Sequence, residues 1–257
     1  MTRPHDGVFD SGGTGAPILD PDRDAPLEPE EHAAQLAGLR RHLAGRSGRV
    51  LDLGCGGGRT LLPLVTGGHQ VVGVDADAGA LAACRQRLVA AGADAALHRG
   101  DLADPRTWPP GDGFDVVLCL GHTFMLLHEI DDAIACLAGA RRRLAGGGVL
   151  LLDDLPGMLW PTVAAGDWPA GLAEDGSAQM TWAARDSVFA VRPREAIDGR
   201  NLEPGPGDQR CRLWTDGSLA LAARLAGFSD PEPWAGECLL VMRPADDPSH
   251  RSSAPAG

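Results

Sequence analysis

The sequence predicts an α/β fold built on a mostly parallel sheet, and three observations carry that expectation. Four short apolar runs, Val50 to Leu53, Val71 to Val74, Val116 to Leu120 and Val149 to Leu152, are spaced along the first two thirds of the chain. Helical patterns separate them, at Arg59 to Val65, Ala78 to Ala91 and Asp131 to Leu144. A glycine-rich turn follows the first run directly, at Gly54 to Gly58. Strands that alternate with helices pair in parallel, because each helix carries the chain back across the sheet in a right-handed crossover. Such crossovers would stack the helices on both faces of the sheet.

Before the first strand, Glu28 to Leu43 places Leu36, Leu39 and Leu43 at helical spacing, with acids early and arginines late. A weak strand is expected near Ala95 to His98. After Asp154 the rhythm changes: Pro156 to Gly176 is rich in proline, glycine and tryptophan, and Gln179 to Val191 reads as extended. A last helix at Ser218 to Leu225 and an apolar segment at Cys238 to Met242 return to the core. The expected organisation is a mobile arm over 1–26, a core over 27–154, an inserted cap over 155–212, a return to the core over 213–244 and a disordered tail over 245–257. A length of 257 residues suits one domain with such an insertion.

Composition narrows the function classes. Hydrophobic residues make up 44% of the chain, enough for a sizeable core, yet nothing approaches the roughly 18 uninterrupted apolar residues of a membrane span. Met1 to Asp10 lacks the basic and apolar parts of a signal peptide, so a cytoplasmic protein without membrane association is expected. Cys55, Cys84, Cys119, Cys136, Cys211 and Cys238 lie far apart without Cys-x-x-Cys pairs, which predicts reduced thiols rather than a zinc site or disulfides. The net charge of -12 argues against nucleic acid, and the densest basic run, Arg141 to Arg143, has a simpler use at a helix C-terminus. A small-molecule partner is expected, with the chain a monomer or homodimer.

The run Val50-Leu51-Asp52-Leu53-Gly54-Cys55-Gly56-Gly57-Gly58-Arg59 is the most informative stretch. A strand, a glycine turn and a helix in succession aim free amides at a ligand at the C-terminal edge of a parallel sheet. The dinucleotide fingerprint needs a third glycine where Arg59 stands, and no Gly-Lys-Ser/Thr follows for a nucleoside triphosphate. Asp75 ends the second apolar run, where a carboxylate can accept from both ribose hydroxyls; Asp77 is better placed to cap the next helix. Asp101 and Leu102 follow the weak third strand and offer an acceptor and an apolar wall to an adenine.

In this order the segments VLDLGCGGGR, VVGVDAD, GDLAD, FDVVLCLGHTF and LAGGGVLLLDD resemble the motifs of class I S-adenosylmethionine-dependent methyltransferases, over about Val50 to Asp154. The resemblance implies a Rossmann-like sheet of seven strands, the last antiparallel. It implies the methionine part of S-adenosyl-L-methionine on Asp52, Gly54, Cys55, Gly56 and Gly58, ribose on Asp75 beside Ala76, and adenine near Asp101 and Leu102, with Leu120 at the fourth strand tip. S-adenosyl-L-homocysteine would be the product. A sulfonium leaves as a neutral thioether, so alignment of a nucleophile does most of the catalysis. Two other outcomes stay open: a different reaction of the same donor, and a donor-binding protein without turnover.

The acceptor side is less legible. Gly121-His122-Thr123-Phe124 resembles the fourth-strand loop of the glycine and sarcosine N-methyltransferase group, where Gly-Asn often stands in place of Gly121-His122. His122 titrates near neutrality and is a candidate base, or it only hydrogen-bonds the donor or backbone. His128 is expected at the surface or in the core, and Asp131 as the cap of the helix after it. Asp153 and Asp154 are too few hard ligands for magnesium, so no metal is expected. Trp160, Trp168, Trp182 and Trp214 lie in or beside the cap; with Phe124, Trp160 and Trp182 are candidates to wall a substrate pocket, and core packing is the alternative.

Overall fold

The computed structural model describes residues 29–43, 48–153, 171–172, 176–234 and 239–245. Ten strands form among them: β1 (Arg49–Leu53), β2 (Gln70–Asp75), β3 (Ala96–Arg99), β4 (Phe114–Cys119), β5 (Leu144–Asp153), β6 (Ala178–Trp182), β7 (Val188–Pro193), β8 (Arg210–Arg212), β9 (Glu232–Trp234) and β10 (Leu239–Met242). Seven of them make the main sheet, in the order β3-β2-β1-β4-β5-β10-β9. β1 to β5 pair in parallel, and β10 runs antiparallel to both its neighbours, β5 and β9. This is the Rossmann-like sheet that the motifs imply.

Period-2 alternation along the central strands sends successive side chains to two separate cores. Val116, Leu118, Val149 and Leu151 join one cluster with Leu39, Leu61 and Leu81. These last three belong to α1 (Pro29–Leu43), α2 (Leu61–Thr66) and α3 (Ala78–Ala90). Val117, Cys119, Leu150 and Leu152 join the other, with Leu137 of α4 (Ile130–Arg143) and Leu219 of α5 (Asp216–Leu225). Both faces of the sheet are therefore covered, which is why its strands carry no polar alternation.

Several boundaries differ from the sequence expectation. β5 begins at Leu144, directly after α4, because Gly146 to Gly148 pass alongside β4 instead of looping away. A Cβ at Gly148 would lie 2.7 Å from the Phe114 carbonyl oxygen, so only glycine permits that approach. α4 starts at Ile130 with Glu129 at the cap position, which moves Asp131 from the predicted cap into the first turn. There its charge still complements the helix dipole. The predicted helix start at Arg59 moves to Leu61, since the glycine turn continues to Thr60. In place of a single closing strand two form, with β9 at the sheet edge against β10.

A second sheet of three antiparallel strands, β6, β7 and β8, fills much of the predicted cap. The stretch that reads as simply extended is a hairpin, closed by Ala183 donating its amide to the Val188 carbonyl at 2.8 Å. Met180, Phe189 and Cys211 pack this sheet into the core beneath α4 and α5. The arm over 1–26, most of Pro156 to Gly176 with Trp160 and Trp168, and Asp154, Cys238 and 246–257 lie outside the described residues. Among the described residues, no helix is long and apolar enough to cross a membrane.

Candidate functional site

The C-terminal tips of β1, β2, β3 and β4 meet around a cavity of about 570 Å³. Its floor is the glycine turn. The amides of Gly54 and Cys55 both donate to the Val74 carbonyl, at 2.7 and 3.1 Å, and tie the turn to β2. Asp75 completes the link: its Oδ2 accepts from the Gly56 amide at 2.8 Å and its Oδ1 from the Asp77 amide at 2.9 Å. Asp77 in turn caps α3, accepting from Gly79 and Ala80. A single carboxylate thus holds two loops, while each of its oxygens keeps a lone pair for a further donor.

Gly58 has φ +89°, and a Cβ there would lie 2.7 Å from Cys84 Sγ of α3. Gly58→Ala is therefore expected to lower stability by about 1–3 kcal/mol through overpacking and a strained backbone. Thermal denaturation checks this, and Cys84→Ala in the same chain should recover part of the loss.

Most of the predicted donor residues converge on this cavity. Asp52, Gly54, Cys55, Gly56, Asp75, Ala76, Asp101, Leu102 and Leu120 all line it. Gly58 does not, and serves the turn from below. The predicted acceptor residues fare differently. His122 is 3% exposed and is absent from the described lining, although Gly121 and Thr123 on either side belong to it. Its backbone is in the left-handed region, with φ 59°, and its ring is buried. Phe124 packs against Trp214 in the core at 5.3 Å, and Trp182 against Phe189 at 5.0 Å; neither lines the cavity. Trp160 lies outside the described residues.

Residues that sequence reasoning passes over complete the wall. Leu126, Leu127 and His128 come from the turn after β4, Asp132 from the start of α4, and Gln209 from the segment before β8. His128 is thus not merely a surface or core residue: its side chain is 33% exposed at the cavity. Gln209 carries no local signal, since it arrives through the second sheet.

The buried end of the site is a charged network. Asp52 is 3% exposed, and its Oδ2 has no hydrogen-bond partner among the described residues. Burial pushes its carboxyl up to about 7; Arg59 opposes that rise, and Asp75 and Asp153 add to it. Arg59 Nη1 lies 2.6 Å from His32 Nδ1 and donates to Gln35 Oε1 at 3.4 Å. Burial first, and then Arg59, hold His32 below its ordinary value, which keeps it neutral and able to accept. Asp153 accepts from Gln35 Nε2 at 2.7 Å and from the His122 amide at 3.2 Å, so both its oxygens are engaged. Burial also pushes the Cys55 thiol well up, leaving it inert.

This arrangement suits a zwitterionic adenosyl ligand. An unpaired buried carboxylate oxygen on Asp52 fits an ammonium, Arg59 fits a carboxylate, Asp75 fits a diol, and Asp101 with Leu102 fits a purine. Residues 50–148 match the family profile described as a methyltransferase domain. That match, with the sheet order and the cradle, supports a class I S-adenosylmethionine-dependent methyltransferase domain over residues 50–148. The chain is 37% identical over 113 residues to the cypemycin N-terminal methyltransferase of a Streptomyces species, a match covering 44% of this chain and 43% of that protein. It is 28% identical over 176 residues to the ubiquinone biosynthesis O-methyltransferase of Paramagnetospirillum magneticum, covering 63% of this chain and 68% of that one. The chain thus spans less than half the length of the first relative and about two thirds of the second. Its fold is shared with the S-adenosylmethionine-bound amino pentose methyltransferase CalS10 of Micromonospora echinaspora, at a TM-score of 0.56 and 23% identity, over 84% of this chain and 90% of that one.

Proposed function

We propose that this chain transfers a methyl group from S-adenosyl-L-methionine to an oxygen or nitrogen of a small acceptor, releasing S-adenosyl-L-homocysteine. The observation that carries the reading is one cavity that joins the donor cradle to a wall from other segments, Leu126 to His128, Asp132 and Gln209. The donor supplies an activated methyl group. Asp52 and Arg59 would hold the two charges of its methionine part, Asp75 its ribose, and Asp101 with Leu102 its adenine. The protein then contributes alignment, which is worth roughly 7–11 kcal/mol when a nucleophile is held in line.

The character of the wall limits the acceptor. Among the described lining residues stand five aspartates, Asp52, Asp75, Asp77, Asp101 and Asp132, against one arginine, Arg59. Such a field favours a neutral or cationic acceptor over an anionic one, and is unsuited to nucleic acid. The relatives named for N-terminal and for O-methylation leave both nitrogen and oxygen as acceptor atoms. Buried free thiols at Cys55, Cys84, Cys119, Cys136 and Cys211 favour a reducing compartment, the cytoplasm.

Calorimetry with S-adenosyl-L-methionine, followed by mass spectrometry across neutral and cationic acceptors, tests the reading. Binding and a product heavier by one methyl group are expected. No binding refutes it; binding without that mass gain across amines, alcohols and phenols points to a donor-binding protein or to another reaction of the donor.

A further inference from the structure

Methyl transfer from a sulfonium to an alcohol or an ammonium leaves one proton to be removed, and most groups in the cavity are unequal to that task. Asp75 is committed to the Gly56 and Asp77 amides, and Asp101 Oδ1 accepts from the Ala103 amide at 2.9 Å. The Cys55 thiol is buried, and Arg59 is a cation held by His32 and Gln35. His128 is the one imidazole among the described lining residues.

We propose that His128 is the general base of the reaction, an assignment that rests on the methyltransferase reading above. Its ring is anchored and yet reaches water. The main-chain carbonyl of His128 accepts from Arg212 Nε of β8 at 2.6 Å, and Arg212 is fixed by a two-point pairing with Asp186 at 2.6 and 2.8 Å. The turn that carries the imidazole is therefore pinned to the second sheet. Nδ1 lies 3.4 Å from the Leu126 carbonyl oxygen, which favours the tautomer with its proton on Nδ1 and leaves the Nε2 lone pair to accept. Glu129 Oε1, 3.5 Å from Nε2, and Asp132 at the cavity wall stabilise the imidazolium that results.

The step balances. An ammonium first gives a proton to Nε2 and an alcohol gives one as it attacks; the lone pair on nitrogen or oxygen then forms the new bond to the methyl carbon as the sulfur–carbon bond breaks, its electrons staying on sulfur. The acceptor proton passes to Nε2, and the exposed third of the side chain returns it to solvent. Leu126 and Leu127 on the same turn flank the imidazole with apolar side chains.

S-adenosyl-L-methionine and S-adenosyl-L-homocysteine differ by the methyl group and its sulfonium charge, so the pair probes which imidazole faces the transfer point without any acceptor. In the full chain, with the His128 resonance assigned by loss in His128→Gln, the titration midpoint of His128 is expected to fall by about half a pH unit or more with S-adenosyl-L-methionine relative to S-adenosyl-L-homocysteine. Equal midpoints with both ligands bound overturn the proposal. Failure of both ligands to bind by calorimetry overturns the functional reading and this proposal together. With an acceptor found by its methyl mass gain, His128→Gln should lower kcat about 10²- to 10⁴-fold and remove the acid limb of the pH profile, with the S-adenosyl-L-homocysteine Kd unchanged. A wild-type pH profile in that variant, or loss of the limb in His122→Gln instead, also overturns it.

Discussion

Replacement of Asp75 with alanine is expected to raise the dissociation constant for S-adenosyl-L-methionine about 10²- to 10⁴-fold. The magnitude follows from what the carboxylate would do in the complex. Two hydrogen bonds from ribose hydroxyls to an ionised acceptor are worth about 1.5–3 kcal/mol each, and every 1.4 kcal/mol is tenfold in affinity. The same change also frees the Gly56 and Asp77 amides, which Asp75 now holds at 2.8 and 2.9 Å, so the glycine turn and the β2-α3 turn lose their common tie. Asp75→Asn keeps one acceptor oxygen and should fall between. Calorimetry on the folded variants separates the two contributions. If Asp75→Ala melts early but binds the donor with undiminished affinity, its role is confined to the loops and the ribose assignment fails.

A second large effect concerns pH. Asp52 titrates near 7 because it is buried beside Asp75 and Asp153, with Arg59 offsetting part of the cost. An ionised Asp52 pairs with the donor ammonium and a protonated one does not. Donor affinity should therefore be full above about 7 and weaken toward tenfold for each unit of pH below it. Without donor the sign for stability is opposite. The unfolded chain gives up this proton above the ordinary 3.8 and the fold retains it up to about 7, so this group's contribution to stability is greatest at low pH and is lost between those values. Titration calorimetry from pH 8 to 5.5 reads the first effect, and thermal denaturation of the donor-free protein the second. Asp52→Asn should bind weakly at every pH and flatten both profiles. A wild-type affinity independent of pH over that range would show that the donor ammonium does not rely on Asp52.

Legibility in the sequence follows the range of the interactions involved. The glycine turn, Asp75 and Asp101 each belong to a strand and the loop directly after it, so spacing along the chain is enough to set them on one sheet edge. Arg59 stands in plain view as the residue that breaks a dinucleotide fingerprint, yet its partners His32 and Gln35 come from α1 and no local pattern links them. His122 illustrates the converse. Its position in the chain is the one expected of a residue at the reaction centre, yet the folded chain buries it, with its backbone in the left-handed region. For His128, which reads as a surface or core residue, no local pattern announces a turn pinned from 84 residues away by Arg212. Gln209 reaches the cavity only because three strands fold back on the core, a tertiary event with no periodicity of its own.

The division of the interior into two clusters has a consequence for how such a protein can change. The floor of the donor cradle rests through Cys55 on one cluster, with α2 and α3, while Met180, Phe189 and Cys211 seat the small sheet in the other. Altered side chains or loop lengths between β6 and β8 would thus reshape the Gln209 wall while the glycine turn keeps its footing on α2 and α3, and any strain passed across would travel through Leu53, Val74 and Leu102, the cradle residues that share the second cluster.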